Sequence, residues 1–290
     1  SIQGGSTIPI QSTTTDFFDG VKTLLETDFT DFTVAYTPGD NGGAAPTPSQ
    51  GISFLGAQSG SSAGLQYSGQ PSWSPADSGS VNVDPFTISF FINAPNVQAG
   101  SAGESGIIYQ SRRHTYGSSG PSVFLQSYNG AGGTLPWRLV FQDVYEKDGT
   151  TGGLQRQSRN WEYNDFITGT GTGYGGQLTH VVITSDGDRN PAPVVELYIN
   201  GVSSSWDTDP TSTYDTGNHT SVRLDGFFVG CNSVFGDFLS LDDDPTNGTM
   251  LDELMIFDNC FTGSQTLIDE IYNNGNHLDY STTGSLTTFA

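Results

Sequence analysis

Pro85-Phe86-Thr87-Ile88-Ser89-Phe90-Phe91-Ile92-Asn93 is the stretch on which the fold turns. Side chains on a strand point alternately to its two faces. Phe86, Ile88, Phe90 and Ile92 therefore share one face, and Thr87, Ser89, Phe91 and Asn93 the other. That period describes a core strand with a wetter outer face.

Working outward, further strands are expected at 106–110, 122–128, 137–144, 180–185, 224–230 and 250–257. Val195, Leu197 and Ile199 alternate with Val194, Glu196 and Tyr198 and run into Asn200-Gly201. Asn-Gly between extended segments signals a tight hairpin, because both residues accept positive φ. Turn-rich stretches such as Pro38-Gly-Asp-Asn-Gly-Gly43 separate the runs. Two short helices are expected. Phe17, Phe18, Val21, Leu24 and Leu25 have amphipathic spacing behind Thr15 as N-cap. Thr262-Gly-Ser-Gln265 reads as a capping box ahead of Leu267, Ile268, Ile271 and Tyr272, with Gly275 as the stop. No fixed-period repeat or heptad is present, so the division expected is an arm and helix over 1–30 and one sandwich domain over 31–290.

Composition agrees with strands and turns: Gly 38, Pro 14, Phe 18, Tyr 12 and Trp 4 in 290 residues. The formal net charge of −22 repels polyphosphate, which argues against nucleic acid as a partner, and it suits divalent cations. No apolar run approaches the roughly 20 residues of a membrane span. Cys231 and Cys260 permit at most one bridge, and neither has the neighbours of a thiolate zinc site. The polar stretch Ser1 to Thr15 favours loss of an initiator methionine over cleavage of a signal peptide.

The order of short strings resembles that of laminin G-like domains in the concanavalin A-like lectin and glucanase superfamily. The strings are Gly64-Leu-Gln-Tyr-Ser-Gly69, then Pro85 to Asn93, then Gly106-Ile-Ile-Tyr109. Leu178-Thr-His-Val-Val-Ile-Thr-Ser-Asp-Gly187, Val195-Glu-Leu-Tyr-Ile-Asn-Gly201, Phe227-Phe-Val-Gly230 and Leu251-Asp-Glu-Leu-Met-Ile-Phe-Asp-Asn259 follow. The resemblance implies an all-β, two-sheet antiparallel jelly-roll sandwich, of the LamG or pentraxin type. The chain departs from the pattern at Leu178-Thr179, where a Trp is usual before the His, and in long loops expected over 94–106, 145–177 and 203–221.

Glycan recognition uses an aromatic ring against the apolar face of a pyranose and polar side chains for its hydroxyls. Trp161, Trp206, Tyr174, Tyr116 and Trp73 lie in polar stretches and, with Arg113, form the candidate ligand set. His114, Tyr163, Arg112 and Asn164 accompany them, whereas Trp137, in phase with Leu139 and Phe141, belongs to the core. Calcium is the candidate cofactor, since hard cations take clustered oxygens. The resemblance brings Asp252, at the start of the last core strand, towards Asp40 and Asn41, and solvated acidic turns are the alternative for these residues. The Glu-x-Asp-x-x-Glu string of the fold's glucanases is missing, and Asp252-Glu253 would face opposite sides of a strand, so no catalytic role is expected.

These readings point to a non-enzymatic, lectin-like surface module binding glycan or a partner protein through its loops. The expected setting is a virion, as a capsid-decoration or tail component docked to shell or tail proteins by the N-terminal arm, with self-association open. Two alternatives remain: a secreted, calcium-stabilised adhesin or carbohydrate-binding domain, and a glycoside hydrolase with carboxylates drawn from different strands.

Overall fold

In the computed structural model the described residues are 85–113, 120–148, 154–188, 192–210, 224–230, 239, 241, 249–257 and 260–275, together with four strands nearer the N-terminus. Numbered in chain order, eight strands form one sheet. Their order is β1 (Ile2–Gln3), β2 (Thr33–Pro38), β3 (Gln50–Phe54), β14 (Thr249–Phe257), β5 (Phe86–Asn93), β10 (Thr179–Ser185), β11 (Val195–Ile199) and β12 (Val202–Ser204). Six strands form the other: β4 (Leu65–Ser68), β13 (Leu224–Val229), β6 (Ser105–Arg113), β7 (Gly120–Ser127), β8 (Trp137–Asp148) and β9 (Leu154–Ile167). All the pairings in both sheets are antiparallel. The chain is thus an all-β sandwich of two antiparallel sheets.

The register explains the core. Ile88 opposes Ile183, which opposes Leu197, and Phe90 opposes Val181, which opposes Ile199. These rows pack against Val123, Leu125, Leu139 and Phe141 from the six-stranded sheet. Each large side chain taken out of water contributes about 1.5–3 kcal/mol, which is why period-2 apolar runs hold their register. The expected hairpin forms: Asn200 (φ 51°) and Gly201 (φ 76°) join β11 to β12.

The outer face of β5 is not wet. Thr87 and Ser89 are fully buried and Phe91 nearly so. A helix, α1 (Gln265–Tyr272), and Phe261 ahead of it build a second apolar layer with Val182, Tyr198, Met255 and Phe257. The hydroxyls find partners beneath that layer. Thr87 Oγ1 accepts from the Phe261 N–H at 3.1 Å, and Ser89 Oγ lies 2.8 Å from His180 Nε2.

The helix begins later than the capping-box spacing implies. Ser264 precedes the first helical residue, and its carbonyl accepts from the Ile268 N–H at 3.1 Å. Thr262 is drawn away, its hydroxyl 2.7 Å from Cys260 Sγ and 3.3 Å from Thr184 Oγ1. Cys260 is a free thiol. Asn274 and Gly275, both at positive φ, end the helix where the sequence placed its stop.

The stretch 145–177, read as a loop, is mostly sheet. β8 runs to Asp148 and β9 starts at Leu154, in register from Asp148 opposite Leu154 to Trp137 opposite Ile167, with one irregularity between Trp137 and Leu139. A strand made of Gln, Arg, Ser and Asn carries no apolar period, so its pairing is invisible until a partner is supplied. The helix expected over 17–25 lies outside the described residues.

Candidate functional site

Alternation on β7, β8 and β9 sends Val123, Leu125, Leu139, Phe141 and Trp161 inward, which leaves Ser122, Phe124, Gln126, Arg138, Val140, Gln142, Asn160 and Glu162 on the outer face. Register aligns these in cross-strand rows. Gln110, Ser122, Gln142 and Asn160 make one row across four strands. Ile107, Phe124, Val140 and Glu162 make the next, and Gln126 opposes Arg138 beyond it. The apolar members Ile107, Phe124 and Val140 are buried as a small cluster between the polar rows.

The polar groups are held in place. Arg138 Nη1 donates to Glu162 Oε2 in an ion pair, and Arg138 Nη2 donates to Gln126 Oε1 at 2.5 Å. Exposures of 21% and 16% leave the Arg138 and Glu162 side chains within reach of a ligand while shielding them from full hydration. The guanidinium lies 5.5 Å from the Tyr128 ring centroid, and its buried Nε makes no hydrogen bond among the described residues. The Tyr128 hydroxyl donates to Asp165 Oδ1 at 2.6 Å, and burial together with that carboxylate pushes its pKa up to about 12. In the amide row, Gln142 Nε2 donates to Asn160 Oδ1 at 2.9 Å.

A segment from the other sheet's side fixes the free edge of β9. The Glu162 N–H donates to the Thr208 carbonyl at 3.1 Å, and the Asp207 and Thr208 N–H groups donate back to the Glu162 carbonyl. The Asn164 N–H donates to Asp207 Oδ2 at 2.7 Å. Trp206 anchors this segment, its indole Nε1–H donating to the Val195 carbonyl of β11 at 3.0 Å.

The structure describes the surroundings of three residues expected as ligand platforms. Trp161 lies within β9, fully buried against Phe141 at 5.4 Å between ring centroids. Its polar neighbours obscured the fact that it occupies an inward position. Trp206 is a half-buried strut between the sheets. Tyr174 packs on Phe166 at 5.2 Å and on Tyr163 at 6.4 Å, while its N–H donates to the Phe166 carbonyl. Burial, with the hydrogen bond to Tyr174, pushes the Tyr163 hydroxyl up to about 12. Arg113 ends β6 opposite Leu224, and nothing is described of its side chain. Tyr116, Trp73, Asp40 and Asn41 lie outside the described residues, and Asp252 pairs with Phe91 in β14. Among the described residues no group of three or more His, Cys, Asp or Glu could hold a metal ion. Asp186, in an acidic turn, accepts through Oδ1 from the Asp188 and Val194 N–H groups. The outer-face set went unnoticed because polar residues alternating with core residues read as ordinary solvent contacts. Collecting the outward positions of successive strands would have revealed them.

No family model matches the chain, and no curated protein matches it. Among solved structures it is similar to the botulinum neurotoxin serotype D binding domain, at 16% identity and a TM-score of 0.47 over 90% of this chain and 53% of that one. It is also similar to an endo-β-1,4-glucuronan lyase from the fungus Trichoderma reesei, at 13% identity and TM-score 0.45, covering 79% and 87%. A third likeness is to domain 4 of AbnA, a GH43 extracellular arabinanase from Geobacillus stearothermophilus in complex with arabinotriose, at 15% identity and TM-score 0.40, covering 84% of each. The chain spans about half the length of the neurotoxin binding domains.

Proposed function

We propose that the chain is a non-enzymatic glycan-binding sandwich of the laminin G-like, concanavalin A-like kind, holding its sugar on the outer face of the six-stranded sheet beside β9. The observation that carries this reading is the fixed cluster of Arg138, Glu162 and Gln126 next to the Gln142–Asn160 amide pair. A saccharide hydroxyl both donates and accepts. Guanidinium, carboxylate and carboxamide supply both partners on rigid strands, and bonds to the charged groups are the stronger ones. Because the side chains already hold one another, little rotamer freedom is lost on binding. Absence of catalysis is part of the proposal: Asp143, buried and in phase with Leu139 and Phe141, and Glu162, on the outer face, belong to opposite sides of the sheet and form no catalytic carboxylate pair.

The test is a glycan array followed by calorimetry. Arg138→Ala and Asn160→Ala are each expected to weaken the best hit at least about ten-fold with the melting temperature nearly kept, the scale of one lost charge-assisted contact. Absence of any hit, or hits indifferent to both changes, would sink the reading. The setting proposed is a virion surface, with the N-terminal segment docking a shell or tail protein, and a calcium site at Asp40, Asn41 and Asp252 is proposed with it. A melting temperature unmoved by chelator would remove the calcium.

A further inference from the structure

We infer that His180 and Tyr272 form an acid-sensitive latch, through which protonation of His180 releases α1 from the eight-stranded sheet before the sandwich itself unfolds. The argument begins with what surrounds the imidazole. His180 lies on the outer face of β10, fully buried, with its ring stacked on Tyr272 of α1 at 5.5 Å and 21°. Phe91 of β5 closes another side at 4.5 Å. Nε2 is 2.8 Å from Ser89 Oγ, and Nδ1 has no hydrogen-bond partner among the described residues.

The lid is held at both ends. Gln265 Nε2 at the start of α1 donates to the Gly201 carbonyl at 2.7 Å, and Tyr272 at its end lies on Gly201, where a Cβ would come within 2.5 Å of the tyrosine ring. Gly201 sits in the hairpin whose Asn200 exchanges hydrogen bonds with the His180 backbone, at 2.9 Å each way. Helix, hairpin and histidine are therefore one connected unit.

An imidazolium in this place would be buried with a second N–H and, among the described residues, nothing to receive it. The ionisable groups of the packed elements are Tyr198 and Glu196 on β11, Asp269, Glu270 and Tyr272 on α1, and Glu253 and Asp252, the latter opposite Phe91, on β14. The Tyr198 hydroxyl donates to Glu196 at 2.8 Å, and Asp269 accepts from Gln265 at 2.6 Å. Burial lowers the His180 pKa from 6.5 to about 3. The folded value being depressed, the open form binds more protons between pH 6.5 and 3. The docked state therefore has its full stability above about 6.5 and loses it as pH falls towards 3. Moving α1 and its Tyr272 aside hydrates the ring, and it uncovers Val182, Tyr198, Met255 and Phe257, an apolar surface shown only in acid.

Amide hydrogen exchange on the whole chain, corrected for the intrinsic pH dependence of exchange, tests this. The opening equilibrium of α1 should rise about ten-fold for each pH unit below 6.5, while amides of β5 and β10 stay protected. His180→Gln should abolish the rise. Should that variant fail to fold, Tyr272→Ala is expected to leave α1 open already at pH 7.5 with the core strands still protected. Loss of protection in α1 and the core strands together, an unchanged acid response in His180→Gln, or a docked α1 in Tyr272→Ala would overturn the proposal.

Discussion

The two outer faces of the sandwich use similar strands to opposite ends. On the eight-stranded sheet the described outer face beneath α1 is dry, and hydroxyls such as Thr87 and Ser89 are buried and bonded internally. On the six-stranded sheet the described outer face keeps Arg138, Glu162, Gln126, Gln142 and Asn160 partly exposed around a small apolar cluster. Polarity by itself does not separate them, since both carry polar side chains between core residues. The difference is the size of the polar groups. Threonine and serine fit beneath a helix with one bond satisfied, whereas guanidinium and carboxamide bring more donors than a dry layer can serve.

Substitutions can break or sharpen that contrast. The largest effect should come from the dry side: Ile268→Ala empties a fully buried position under α1 and should cost about 2–5 kcal/mol in urea unfolding. Next is Gly201→Ala. Its φ of 76° disfavours a Cβ, and the added carbon would displace Tyr272, for a loss of about 1–3 kcal/mol and a lower melting temperature. Smallest is Arg138→Ala, expected to cost about 1 kcal/mol of stability because its ion pair is partly solvated, while its effect on glycan affinity is the larger one. A stability loss at Arg138 equal to that at Ile268 would erase the distinction between the faces.

The legible parts of the fold share one property. β5, β10 and β11 have large apolar side chains on alternate positions, and Asn200-Gly201 has the backbone freedom its turn requires, so local chemistry decides them. β9 was hidden because residues 155–160 are all polar, and its pairing depends on β8 rather than on any period of its own. The inward place of Trp161 was hidden for the same reason: its neighbours are polar, yet its phase places it with Phe141. Of the candidate site little was legible, since each residue is unremarkable until register gathers residues as far apart as Gln110 and Asn160 into one row.

By itself the sequence determined the secondary structure of the apolar strands, the hairpin at Asn200-Gly201 and the stop of α1, because each follows from alternation or backbone freedom over a few neighbouring residues, whereas the two-sheet class was implied by the resemblance of its strings to laminin G-like domains. Only the tertiary structure decided which outer face is covered, that Trp206 braces one sheet against the other, and that His180 lies sealed beneath Tyr272. Those outcomes depend on which surfaces meet across tens of residues of chain, and no local pattern records the partner of a face.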